Sequence, residues 1–196
     1  MLNDKLFLSV LASFTILPST LAQSGNFTIY AYGTGILGLP LVYSEGDAQL
    51  GNVSAIPGYN VSDIYFSIER GGLLAYPNAT STQAVKHDAN YTWTSLQLNV
   101  PANSESGNTV TFAQHLSSSG DAGEWRLYGP YVFLYDSSKQ LVSYSFAEPT
   151  NDTGVFKLLW NLSEEQQAQN LNAVPVSLRT IAPVDASDAS DRSSTA

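Results

Sequence analysis

The chain has 196 residues, with 8 Lys and Arg against 17 Asp and Glu and a formal net charge of −9. It has no cysteine, which excludes thiolate nucleophiles, thiolate metal sites and blue copper and leaves the core to apolar packing alone, as this length permits. No Lys/Arg cluster interrupts the acidity, so neither nucleic acid nor an anionic membrane is an expected partner, because neutralising phosphates needs clustered cations.

In chain order, Lys5 precedes an uncharged apolar run from Leu6 to Leu17, and Pro18 ends it. Thr20-Leu21-Ala22 then supplies small residues around a cleavage point, so residues 1–22 are expected to be a secretory signal peptide and the mature chain to begin at Gln23. The run is shorter than the roughly 20 residues a spanning helix needs, and no later segment is long and apolar enough to span. N-x-[ST] occurs at Asn26, Asn52, Asn60, Asn78, Asn90, Asn151 and Asn161. Random pairing of 13 Asn with 39 Ser and Thr yields about two to three such triplets, so the excess predicts a secreted N-glycoprotein with these positions on its surface.

From residue 27 onward the hydrophobic period is two. FTIYAY (27–32), LPLVYS (39–44), DIYFSIE (63–69), YTWTSLQLNV (91–100), TVTFA (109–113), EWRLY (124–128), YVFLYD (131–136), LVSYSFA (141–147) and GVFKLLWN (154–161) are rich in β-branched and aromatic residues. Gly, Asn, Asp, Ser and Pro clusters separate them, with hairpin turns expected at SEGD (44–47), RGG (70–72) and DSSKQ (136–140). This pattern predicts an all-β fold, a single antiparallel β-sandwich of jelly-roll type over residues 23–183. One short helix is expected near residues 163–172, where Ser163 and Gln166 have capping-box spacing. VPVSLRTIAP (174–183) reads as a closing strand, and the acidic Ser/Asp-rich tail, 184–196, as disordered.

The sharpest motif is Gly33-Thr34-Gly35-Ile36-Leu37-Gly38, a literal G-x-G-x-x-G. A dinucleotide fingerprint needs a helix beginning at that loop to aim N–H groups at a pyrophosphate. Here Pro40, β-branched and aromatic residues and a Glu-Gly-Asp turn follow instead. The glycines are therefore expected to permit a positive φ or a bulge where one strand turns into the next, and no cofactor is expected. His87 and His115 are the only histidines. Neither belongs to a metal-ligand or nucleophile motif, so no metal site is expected. Glu69, Glu124, Asp136 and Glu148 lie on or beside strands and are the candidate acids for a polysaccharide-acting hydrolase or lyase, which needs two facing carboxylates. Aromatic residues offer more. Alternation places Tyr131, Phe133 and Tyr135 on one face of a strand, with Tyr144 nearby in sequence. Tyr131, Tyr135 and Tyr144 are the candidate ligand-binding residues, able to stack on sugar rings; cross-strand stabilisation of the sheet is the competing explanation.

FTIYAYGTGILGLPLVYSEGDAQLG (27–51), GPYVFLYDSSKQLVSYSFAEPTNDTGVFKLLWN (129–161) and VPVSLRTIAP (174–183) together resemble a group of small secreted β-rich glycoproteins of filamentous fungi. The resemblance implies a fungal extracellular origin and a single domain, and no catalytic signature comes with it. The sequence thus leads to a secreted, N-glycosylated, non-enzymatic protein of the fungal surface or cell wall, with a polysaccharide or wall glycan as candidate partner. The alternatives are a two-carboxylate glycoside hydrolase or lyase, and an effector or inhibitor that binds another secreted protein.

Overall fold

The structure, a computed structural model, describes residues 25–58, 60–80, 93–101, 108–114, 123–170 and 172–184. The expected signal peptide, Asn90, His87, His115 and the chain from residue 185 onward lie outside the described residues. Within them the fold is all-β. The strands are β1 (Tyr30–Gly33), β2 (Ile36–Ser44), β3 (Asp47–Leu50), β4 (Val61–Glu69), β5 (Gly72–Pro77), β6 (Leu96–Asn99) and β7 (Thr111–Ala113). They continue as β8 (Glu124–Tyr128), β9 (Tyr131–Tyr135), β10 (Leu141–Val142), β11 (Ser145–Pro149), β12 (Phe156–Trp160) and β13 (Val174–Arg179).

The three expected hairpin turns are present. Glu45-Gly46 joins β2 to β3 with φ of 53° and 99°, and Arg70-Gly71 joins β4 to β5 with 51° and 81°. Two successive left-handed residues are what a two-residue hairpin loop needs to match strand twist. Residues 136–140 close β9 onto β10, where Asp136 accepts from the Ser138 hydroxyl at 2.6 Å and from the Gln140 N–H at 2.9 Å. The run 141–147 divides at Ser143-Tyr144, because β10 pairs with β9 while β11 pairs with β12 and β13.

A sandwich leaves two sheets face to face; here the antiparallel strands close into a ten-stranded barrel. The circuit runs β1, β2, β4, β5, β6, β7, β3, β12, β11, β13 and back to β1, with β8, β9 and β10 extending from β13. Shared strands cause the closure. The nine-residue β2 pairs with β1 through its first half and with β3 and β4 through its second. Likewise β13 pairs with β11, β1 and β9 along its length. A strand that bends to serve two neighbourhoods removes the free edges that would separate two sheets.

Inward positions fill the interior. Ile29, Leu41, Leu50, Phe66, Leu73 and Leu158 are among its fully buried residues, each contributing about 1.5–3 kcal/mol by leaving water. Trp125 and Trp160 meet edge to face at 5.9 Å, and Tyr43 packs on Trp93 at 4.8 Å. Val42, Val53, Ile56, Val61 and Val155 form a second, smaller cluster, which explains why the second half of β2 is buried on both faces.

Helix α1 (Glu164–Gln169) opens on the expected capping box: the Gln166 N–H donates to Ser163 Oγ at 3.2 Å, and the Ser163 N–H donates to Gln166 Oε1 at 2.9 Å. It is shorter than the expected 163–172 because Asn170 leaves helical geometry as its C-cap.

Candidate functional site

The glycine motif builds one wall of a site rather than a phosphate loop. Gly33 ends β1, and Gly35, with φ 75°, lies in the turn to β2. Gly38, with φ 84°, is the extra residue of a β-bulge: Ala31 opposes Leu39 while Tyr32 opposes Leu37. A side chain at Gly38 would begin 2.8 Å from Pro183 Cβ and 2.9 Å from the Tyr32 hydroxyl. The close approach lets the segment after β13 fold down over β1. Tyr32 fastens it by donating its hydroxyl to the Ile181 carbonyl at 2.8 Å, and the Thr180 N–H donates to the Pro130 carbonyl at 2.8 Å.

Between these elements lies a cavity of about 360 Å³ lined by Tyr32, Leu37, Pro130, Arg179, Pro183 and Val184, among others. Arg179 is its chemical centre. Its guanidinium carbon stands 5.0 Å from the Tyr32 ring centroid and 4.7 Å from that of Tyr131. Each contact is worth roughly 0.5–2 kcal/mol, rising as water is excluded. Burial pushes the Tyr32 phenol above its ordinary range, with the Arg179 charge opposing and Tyr30 adding to the rise. Arg179 Nε is shielded from solvent and has no hydrogen-bond acceptor.

Strand register extends the site into a surface. Directly opposed residues of antiparallel strands project to the same side, so the pairs Tyr128–Tyr131, Tyr131–Arg179, Arg179–Tyr30 and Tyr30–Pro40 form one row across β8, β9, β13, β1 and β2. Four strand spacings make this row roughly 19 Å long. Phe133 with Arg126, and Tyr135 with Glu124, continue the same face. The inward alternates on β9, Val132 and Leu134, are buried.

Of the three residues singled out from sequence, Tyr131 and Tyr135 share this outer face, and Tyr131 is in direct contact with Arg179. Tyr144 does not join them: its ring partner is Trp160, 6.1 Å away in T-shaped contact. The division of 141–147 between two pairings accounts for this, since Tyr144 follows β10 where the chain leaves β9. No sequence motif marks Tyr32 or Arg179. Alternation alone marks Arg179 as outward, but its lack of an acidic partner among the described residues depends on elements from distant parts of the chain.

The four candidate acids have separate attachments. Glu69 accepts from the hydroxyls of Tyr76 at 2.8 Å and Ser67 at 3.0 Å. Glu124 pairs with Arg126 and lies against Gly71. Glu148 accepts from the Asn170 amide. Asp136 caps its turn, and the Ser138 hydroxyl with the Gln140 N–H holds its carboxyl below the ordinary range. Among the described residues no three His, Asp or Glu gather in a metal-binding group, and no helix is long and apolar enough to cross a membrane. Of the sequons, Asn26, Asn52, Asn151 and Asn161 are exposed and Asn60 and Asn78 half-buried. None lies on β8, β9, β13 or β1. No protein-family model matches the chain, and no curated protein or solved structure compared with it is similar.

Proposed function

We propose that this is a secreted, N-glycosylated fungal surface or cell-wall protein that acts without catalysis by binding carbohydrate on the outer aromatic face of the barrel. One observation carries the reading: Tyr128, Tyr131, Arg179 and Tyr30 stand side by side in register, on strands free of sequons. Sugar C–H faces stack on such rings, and neighbouring polar groups orient them. Tyr131 and Tyr135 supply the stacking on β9.

Affinity electrophoresis of the full chain against a panel of wall polysaccharides tests this. Retardation by at least one polysaccharide, weakened about tenfold by Tyr131→Ala and unchanged by Tyr144→Ala, is the expected result. No retardation by any of them overturns it.

A second reading, docking of another secreted protein, is favoured by the apolar lip of the cavity, where Leu37 is 81% and Val184 77% exposed. Retention of wall glycan after Leu37→Ser and Val184→Ser separates it from carbohydrate binding.

A further inference from the structure

In an acidic chain, Arg179 stands apart from the other described cations. Arg70, Arg126, Lys139 and Lys157 are exposed, whereas Arg179 is half-buried. The one ion pair among the described residues joins Arg126 to Glu124. Arg179 instead has aromatic rings beside it and a shielded Nε without an acceptor. A charge withdrawn from water is ordinarily paired, since an unmatched donor carries its full desolvation cost. None of the described residues lining the cavity is an acid, which leaves Arg179 open to an acceptor from outside the chain. A carboxylate matches a guanidinium's fork of N–H donors with two oxygens, and with Nε shielded the terminal Nη groups are what an outside carboxylate meets.

The surroundings narrow the bearer of that carboxylate. Tyr131 continues into Tyr128 on one side, and Tyr30 lies beyond Arg179 on the other, so the occupant presents flat apolar faces as well as a charge. A uronic acid residue combines both: a sugar ring that stacks and a carboxylate on the ring. We propose that the Tyr32–Arg179–Tyr131 site recognises the carboxylate of a uronic acid within an oligosaccharide, making the favoured glycan acidic rather than neutral. This rests on the carbohydrate reading above and adds the ligand class. The chain's net charge of −9 repels polyanions at long range, but salt screens that repulsion beyond about 8 Å under physiological conditions. A contact pair partly shielded between two rings is screened much less.

The test titrates the full chain at pH 7 with trigalacturonate, with its fully methyl-esterified form, with the neutral xylotriose, and with a short Asp/Glu peptide. Titrations are followed calorimetrically for the parent chain, Arg179→Gln and Arg179→Lys. The acid trimer is expected to bind at least about tenfold more tightly than its ester, the size of one charge-assisted contact. Arg179→Gln should abolish that preference while ester and xylotriose binding persist. Arg179→Lys should retain only part of it, because an ammonium lacks the planar fork. Equal binding of acid and ester by the parent chain overturns this inference and leaves the carbohydrate reading standing. Failure of all three saccharides to bind overturns both. Binding of the acidic peptide in their place overturns both in favour of a protein partner. Should Arg179→Gln fail to fold, seen as a lost melting transition, the acid–ester comparison on the parent chain decides alone.

Discussion

Two places on the outside of the barrel combine paired tyrosines with a charged side chain, and they are built differently. On β4 and β5, Tyr65 and Tyr76 oppose each other in register and stack at 5.3 Å with only 10° between their planes. The Tyr76 hydroxyl donates to Glu69 at 2.8 Å. The rings cover each other and the charge has its donors. On β1, β9 and β13, Tyr32 and Tyr131 each face the Arg179 guanidinium instead, and Nε finds no acceptor. Sequons flank the strands of the first place on both sides, with Asn60 just before β4 and Asn78 just after β5, whereas on the strands of the second only β1 has one close by, Asn26. Aromatic content therefore does not mark a binding face. Under the proposed reading an unmatched polar group among the rings marks it, because a ligand can offset the desolvation cost there.

Gly38→Ala should disturb the second place most. The left-handed φ of 84° costs a side chain about 1–2 kcal/mol, and the new Cβ meets Pro183 and the Tyr32 hydroxyl at under 3 Å. Thermal denaturation should show a loss of about 2 kcal/mol or more, together with weakened glycan binding. The same substitution at Gly35, where no atom lies within 4 Å, should cost only the φ strain and spare binding.

Next in size is a crossed pair of alanine substitutions. Tyr76→Ala removes a stack and an exposed hydrogen bond, so it should destabilise by about 1 kcal/mol and leave glycan affinity unchanged. Tyr131→Ala should lower affinity about tenfold and shift stability less than Tyr76→Ala does. Calorimetric melting beside affinity electrophoresis reads both arms. Equal effects of the two variants on binding would erase the distinction between the places.

The smallest effects come from pH. The Asp136 carboxyl is held low in the folded chain, so its stabilising contribution is complete above the unfolded value near 3.8. It fades as pH falls through the lower folded value. Asp136→Asn should flatten the acid limb of a stability–pH profile. Tyr32 behaves oppositely. Its raised phenol contributes fully below the unfolded value of 10.0 and loses that contribution as pH climbs through the folded one. Tyr32→Phe should therefore soften the alkaline limb, and with it the hold on the Ile181 carbonyl.

The local chemistry was legible in the residues themselves. Period-two alternation located the strands, and Glu45-Gly46 and Arg70-Gly71 announced their turns because a left-handed φ depends on adjacent residues alone. Ser163 and Gln166 announced the helix start for the same reason, and Gly35 and Gly38 the bend and bulge. Tyr131 and Tyr135 followed from alternation along a single strand. Closure into a barrel was not legible, since it depends on β2 and β13 each serving several partners, a relation between strands that no local pattern encodes. The partnerless state of Arg179 is of the same kind. It exists because β1, β9 and β13 come together with two tyrosines and no acid among the described residues, and tertiary structure alone decides which side chains a charge meets.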